Sequence, residues 1–466
     1  MKRSLILLTL FLMGFLIWIC PEPVGVSLKA WHLFAIFITT IFGIILKPLP
    51  LGGIVLISLA VSTLTHTLTL EEALSGFQSH VAWLVLFAFF IARAFIKTGL
   101  GSRIAYYFIS IFGKKTLGLS YSILLSDVLL APAIPSVTAR SGGIIFPIVQ
   151  GLAKSFGSDP HLGTEKRVGS FLMKVAYQGS VISSTMFLTA MAANPFLAGL
   201  AEEAGYHLSW GTWALGALLP GILSLIFMPW LVYKIYPPVI KESMDAVFHA
   251  REKLAEMGKL DRREWFMMII LILMILLWIF GGFFSLHATV TALLGVALLL
   301  ITDILSWKEM TAEETGWDTF FWFAALIMMA SALNRFGFIS WLSGQVIGMV
   351  GGMEWPVAFI ILEIVYFYTH YFFASSTAHV GAMFPAFFMM AIGLGTPPSL
   401  ALLVFAFSSS LFGGLTHYGS SAAPLFFGSG YVDVKAWWRI GFFVSLLNIF
   451  FWLVIGPFWW KLFHLW

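Results

Sequence analysis

The sequence predicts an all-α polytopic membrane protein: about eleven transmembrane helices plus two re-entrant hairpins, laid out as two copies of one unit with inverted topology. Three observations carry this. The 466 residues are 60% hydrophobic and 10% charged, with a mean hydropathy of +0.94, against ~25% charged residues in a soluble domain. The 26 Lys and Arg residues fall mostly on one side once the apolar runs are threaded through a bilayer. A short polar stretch also interrupts apolar sequence twice, 239 positions apart, as Ser136-Val137-Thr138-Ala139-Arg140 and Ser375-Ser376-Thr377-Ala378-His379. A membrane β-barrel would show alternating segments of ~10 residues, and the sequence has none.

The first run, 4–20, follows Lys2 and Arg3. No small-x-small site precedes Cys20, so residues 1–30 read as an extra transmembrane helix and not as a signal peptide. Spans follow at 31–46, 51–65 and 81–98, then an amphipathic interfacial stretch at 101–113. In 117–154 two apolar runs of about 10–16 residues flank the first polar tip. Each is too short to cross ~30 Å of hydrocarbon. They read as a re-entrant hairpin whose tip must be buried in protein or line a wet cavity. A helix from 168 breaks between Ser183 and Pro195, and 212–236 closes the first repeat, 31–239.

Residues 240–264 carry six basic and six acidic side chains and read as a solvated cytoplasmic linker. The second repeat, 265–466, runs in the same order: 265–283, 287–305, 317–335, an interfacial 338–350, a hairpin at 354–393, a helix from 398 broken between Gly413 and Pro424, and 437–460. Five spans per repeat is an odd number, so the second copy is inverted, as in many secondary transporters. With the N-terminus cytoplasmic and the C-terminus outside, 21 of the 26 basic residues lie inside; Lys29, Arg335 and Lys461 lie outside, and Arg93 and Arg140 fall within the membrane. This asymmetry places the chain in the lipid bilayer of the cytoplasmic membrane.

Matched polar interruptions in the two halves of a membrane chain point to a binding site. Arg140 is a fixed cation able to hold a carboxylate through two bonds. Ser136, Thr138, Ser375 and Thr377 supply hydroxyl donors around Val137 and Ser376. His379 is a neutral donor or a cation according to pH. Each tip precedes a short helix, whose N-terminus favours anions. The set suits a small molecule with two carboxylates, one at each tip. The plainer reading is that the hydroxyls cap helices and Arg140 snorkels to the cytoplasm.

The two breaks are expected to close the site opposite the tips, with Thr189, Thr416 and His417 as candidates. Their plainer reading is proline kinks and a structural histidine. Asp127 and Glu363, on the first hairpin helices, read as structural partners for basic groups or helix ends, with Arg93 as a partner for one of them. Trp459, Trp460 and Trp466 read as interfacial anchors.

A single cysteine excludes an intrachain disulfide and a multi-thiolate metal site. His370 and His379 make no recognisable metal pair, and no cofactor is expected. The small net charge of +4 gives no case for nucleic acid. There is no G-x-S-x-G elbow and no H-E-x-x-H, so the chain does not read as an enzyme.

At Pro135-Ser136-Val137-Thr138-Ala139-Arg140-Ser141-Gly142-Gly143 and Leu415-Thr416-His417-Tyr418-Gly419 the chain resembles the divalent anion/sodium symporter family, over nearly its whole length. It is most similar to the branch of plastid 2-oxoglutarate/malate translocators and bacterial citrate/succinate antiporters. The resemblance implies a homodimer with a scaffold domain and an elevator-type transport domain, and C4–C6 substrates such as 2-oxoglutarate, malate, succinate and fumarate. The family's sodium-coupled members carry Ser-Asn-Thr at both tips, where the Asn helps bind sodium. Here Val137 offers no side-chain oxygen and Ser376 offers one.

The expectation is therefore sodium-independent antiport, with Arg140 and His379 replacing the cation charge. An unpaired charge in the membrane costs ~2.5–3.5 kcal/mol, enough to slow return of an empty carrier about 100-fold. Sodium- or proton-coupled symport by the same fold is the alternative. An anion channel, which would pass current without a trans partner, is a third reading.

Overall fold

Apolar runs free of internal breakers become helices in this computed structural model, which describes residues 2–284, 286–350 and 353–466. Met1, Ser285 and the joint 351–352 ahead of the second hairpin, all inside the expected repeats or N-terminal helix, lie outside the described residues.

The chain opens with α1 (Lys2–Ile19) and α2 (Leu28–Leu46), the latter entered through Ser27, whose hydroxyl accepts the Ala30 N–H. Next come α3 (Leu51–Leu64) and a short α4 (Leu70–Leu74), which begins with a Thr69–Glu72 capping box. Helix α5 (His80–Thr98) stops where Gly99 takes a φ of +74°, and α6 (Leu100–Phe112) starts at once in a new direction. The first hairpin is α7 (Thr116–Leu130) and α8 (Phe146–Ser155); the first broken helix is α9 (Gly169–Met186) and α10 (Ala193–Glu203). Helix α11 (Trp210–Ile235) ends the half.

After α12 (Met244–Glu256) the order repeats: α13 (Arg262–Phe280), α14 (Ala288–Ile301), short α15 (Trp307–Thr311), α16 (Glu314–Arg335) and α17 (Phe338–Val350). The second hairpin is α18 (Trp355–Tyr368) and α19 (Ser376–Gly393), and the second broken helix is α20 (Pro398–Leu411) and α21 (Ala423–Gly428). Helices α22 (Val434–Ile449) and α23 (Gly456–Leu462) join through one π-helical turn into a single long rod. Among the described residues nine helices are long and apolar enough to cross a membrane.

The core follows from composition. Helix α9 is buried at every residue and α20 from Leu400 to Leu411, so the polar side chains of α9 and the serines at the end of α20 must find partners inside the protein. Both hairpins pack against these two posts, α7 and α8 on α9, α19 and α18 on α20, while α5 and α16 pack together as a wall on which α10 rests.

Three expectations change. The hairpin arms are longer than the apolar runs suggested: single 3₁₀ turns extend α7 to Ala133 and α18 to Phe372, giving 18 residues each, the length of α19. The linker is not merely solvated, because α12 buries Ala246, Val247 and Ala250 against α6. Two of the three tryptophans read as interfacial anchors instead fasten the last rod to α11: Trp459 Nε1 donates to the Leu215 carbonyl at 2.7 Å and Trp460, wholly buried, to that of Gly216 at 2.8 Å.

Candidate functional site

The first tip turns at Ser136, whose Oγ accepts the Ala139 N–H at 3.2 Å. Residues Thr138–Ile145 then wind as a π-helix, a distortion frequent at functional sites. It swings Arg140 inward, where the side chain is wholly buried. A guanidinium has five N–H donors, and here each meets a protein acceptor. Nε donates to Asp127 Oδ1 at 3.2 Å, and Nη1 to the carbonyls of Ile134 at 2.7 Å and Ala190 at 2.8 Å. Nη2 donates to the hydroxyls of Ser184 at 2.6 Å and Ser183 at 3.4 Å. Arg140 thus rivets the hairpin tip to the α9–α10 break. It has no donor left for a carboxylate in this conformation.

Thr189 acts alongside it. Its hydroxyl donates to the Pro132 carbonyl at 2.7 Å and accepts from Trp210 Nε1 at 3.1 Å. Val137 is buried, Ser136 is half-buried and Thr138 is exposed. Ser136 and Thr138 line a cavity of about 490 Å³ whose other walls are Arg93 and Lys97 of α5 with Glu309 and Glu313. Arg93 therefore does not pair with Asp127 or Glu363: its Nη1 meets Glu313 at 2.7 Å.

The second tip repeats the first in detail. Ser375 Oγ accepts the Ala378 N–H at 3.3 Å, and Thr377, the second residue of α19, is half-buried. His379, wholly buried, lies with Nδ1 at 3.2 Å from Nδ1 of His370 and Nε2 at 3.2 Å from the Thr369 hydroxyl. His370 Nε2 is 2.7 Å from the Gly419 carbonyl. A carbonyl only accepts, so Nε2 carries the proton; with His370 neutral, its Nδ1 accepts from His379. Ser376 Oγ donates to the same carbonyl at 3.4 Å. In both halves the basic residue just past the tip is thereby tied to the broken helix, directly at Arg140 and through His370 at His379. Among the described residues no three His, Cys, Asp or Glu side chains are grouped to hold a metal ion.

Each hairpin also sends a carboxyl group to a broken-helix serine: Asp127 accepts from Ser183, and Glu363 from Ser408. The halves are tied to each other as well. Gln178 Nε2 donates to the Gly414 carbonyl at 2.8 Å, Tyr177 donates to that of Gly413, and Ser410 donates to Asn194 Oδ1 at 2.7 Å. His417 accepts from Trp438 Nε1 at 3.1 Å, which pins the second break to α22; Thr416 is buried there with no hydrogen-bond partner among the described residues.

Tyr177 and Gln178 escaped the sequence reading, and His370 enters it only as half of a metal pair. Their signal was present but faint: polar side chains on otherwise apolar helices. Lys174, counted among the cytoplasmic cations, is in fact buried, with Nζ 3.9 Å from the centroid of the Trp437 ring. The result is one hydrogen-bonded body of two hairpins and two breaks, whose first tip faces α5 across a cavity lined by the Ser136 and Thr138 hydroxyls.

Comparison with known proteins gives this arrangement its context. The chain matches the family described as "Sodium:sulfate symporter transmembrane region" over residues 1–466. It is 54% identical over 454 residues to the "Putative malate transporter YflS" of Bacillus subtilis (strain 168), covering 97% of this chain and 95% of that one. It is 51% identical to "Dicarboxylate transporter 1, chloroplastic" of Spinacia oleracea, covering 99% and 81%, and 34% identical to the "Citrate/succinate antiporter" of Escherichia coli (strain K12), covering 99% and 98%. Its fold is similar to that of the Alcanivorax borkumensis YdaH transporter, with a TM-score of 0.58 at 14% identity over 99% of this chain and 97% of the other. The chain is a multi-pass membrane protein that belongs to the sodium:sulfate symporter family, the divalent anion/sodium symporters.

Proposed function

We propose that this protein exchanges C4–C6 dicarboxylates such as 2-oxoglutarate, malate, succinate and fumarate across the cytoplasmic membrane, without sodium, by an elevator displacement of the hairpin-and-break body against α5 and α16. Relatives named as malate, dicarboxylate and citrate/succinate transporters support the substrate class. The working unit is a homodimer, as the family resemblance implies. The N-terminus is cytoplasmic and the C-terminus outside, following the basic side chains. The cavity beside the first tip opens on the linker side, since the α5–α6 corner meets the linker where Arg103 binds Glu264 at 2.7 Å and the Gly258 carbonyl at 2.8 Å.

The observation that carries sodium independence is Arg140. A sodium ion at the first tip would need oxygen ligands. Arg140 already takes the carbonyls of Ile134 and Ala190, and Val137 supplies no side-chain oxygen. The guanidinium acts as a built-in cation that holds tip and break together in every step of the cycle. His379, through His370, likewise ties the second tip to the break at Gly419.

Asp127 balances the Arg140 charge, which changes the reason for strict exchange. The empty body does not carry a bare arginine through the membrane. It carries unfilled hydroxyls at Ser136, Thr138, Ser375 and Thr377, which lose their water as the body moves through the membrane. Each buried donor left without a partner costs about 1–3 kcal/mol, and each 1.4 kcal/mol slows the step roughly tenfold. A bound dicarboxylate fills them. The His370–His379 pair favours one second reading, proton-coupled symport, because two imidazoles in contact offer a place for one extra proton.

Uptake of labelled 2-oxoglutarate into sodium-free proteoliposomes, with and without internal malate, tests the exchange. Uptake that needs internal malate supports it. Uptake without internal malate that follows an inward proton gradient supports symport, and current without any trans substrate supports a channel.

A further inference from the structure

The cavity beside the first tip holds chemistry that the tips do not explain. Arg93 and Lys97 lie one turn apart on α5 and both line it, about 5–6 Å apart at their Cβ atoms as for any i, i+4 pair. Each is held by a carboxylate that also lines it. Arg93 Nη1 meets Glu313 at 2.7 Å and Lys97 Nζ meets Glu309 at 2.5 Å. Glu309 is fixed in place, because its Oε2 also accepts the Ser306 N–H at 2.8 Å and the Ser306 hydroxyl at 2.8 Å. Glu313 is largely shielded, while Arg93 and Lys97 remain about one-third exposed toward the cavity. The wall across from them carries the Ser136 and Thr138 hydroxyls.

Two cations at that spacing, each occupied by an internal carboxylate, match a ligand with two carboxylates a few carbons apart. We propose that Arg93 and Lys97 form a carboxylate-receiving station on the stationary wall, where an incoming dicarboxylate displaces Glu313 and Glu309 before it passes to Ser136 and Thr138. The internal carboxylates act as tethered competitors. They keep the empty mouth neutral and keep the station from trapping substrate. A monocarboxylate displaces one of them and gains half as much. This station rests on the proposed dicarboxylate transport and adds a second, sided binding step to it.

The test is the KM for malate exchange on each membrane face, measured in right-side-out and inside-out vesicles. Arg93→Gln and Lys97→Gln should each raise KM on the cavity face about two- to fivefold, the size that a partly exposed charge contact carries, and leave the other face unchanged. Glu313→Gln and Glu309→Gln should lower KM on the cavity face, because they remove the competitor. Opposite shifts are the signature of competition for the cations. If Arg93→Gln and Glu313→Gln move KM the same way, or move it equally on both faces, the pairs only brace α5 against α15 and the start of α16, and the station is wrong. Wild-type vesicles with no dicarboxylate uptake would remove the transport reading and the station with it. Active variants with unchanged KM would remove the station alone.

Discussion

Asp127 accepts a hydrogen bond from Arg140 Nε at 3.2 Å with both side chains sealed from solvent. The pair joins the helix before the first tip to the π-helix after it. Arg140 then reaches across to the Ala190 carbonyl at 2.8 Å on the broken helix. Hairpin, tip and break are thereby one hydrogen-bonded unit.

Removing Arg140 leaves Asp127 as a buried, unpaired carboxylate. Arg140→Ala should cost about 3–5 kcal/mol, and adding Asp127→Asn should recover part of it. Thermal unfolding in detergent reads both. Equal losses in the single and double variants would mean that the stranded carboxylate is not the source of the penalty. Arg140→Lys keeps the charge but offers three donors in place of five, so it should fall between wild type and Arg140→Ala.

His370→Phe separates packing from hydrogen bonding at the second tip. A phenyl ring keeps the stack on Phe412, whose centroid is 4.0 Å away, but abandons the Gly419 carbonyl and His379. A loss of about 1–3 kcal/mol is expected, with a fall in exchange rate. Wild-type rate and melting temperature would show that the second break needs no such tie.

Gly441 is required by close approach. A Cβ there would sit 2.7 Å from the carbonyl oxygens of Gly414 and Leu415, backbone atoms that cannot rotate aside. Gly441→Ala should push α22 off the second break at a cost of about 1–3 kcal/mol. Gly428→Ala, which meets nothing within 4 Å, is the neutral control, read by the same unfolding assay.

Lys97, then the Ser306 N–H and hydroxyl, hold the Glu309 carboxyl down to about 2. Because the folded value lies below the ordinary one of 4.5, the contact stabilises fully above that ordinary value and is lost as pH falls toward the folded one. The Lys97–Glu309 pair is solvent-facing, so its worth is about 0.2–1 kcal/mol. The stability gap between wild type and Lys97→Met should be constant near neutral pH and narrow as pH drops below the ordinary carboxylate value. A gap that widens on acidification would reverse the sign of this coupling.

The fold was legible because bilayer length and apolar runs leave few choices, and because the two tips share their pattern around Ser136 and Ser375. Even the shared cap was implied, since Ser in front of a helix start binds the N–H three residues on. The destinations of the charged groups were not legible. Arg140 turns inward because of a π-helical turn and a carbonyl 50 residues away. Arg93 finds Glu313 at a separation of 220 residues. Lys174 looked like a cytoplasmic cation by its place near a helix start, yet Trp437, from the far end of the chain, covers it. Spacing along a helix reports which face a residue takes; only tertiary packing decides what stands opposite.

Sodium dependence is the most direct test of Arg140 as the built-in cation. Malate/2-oxoglutarate exchange in wild-type proteoliposomes should run at the same rate in choline chloride as in sodium chloride at equal ionic strength. A rate that rises and saturates with sodium would contradict that role, and would mean that an ion reaches the tips despite Val137 and the guanidinium.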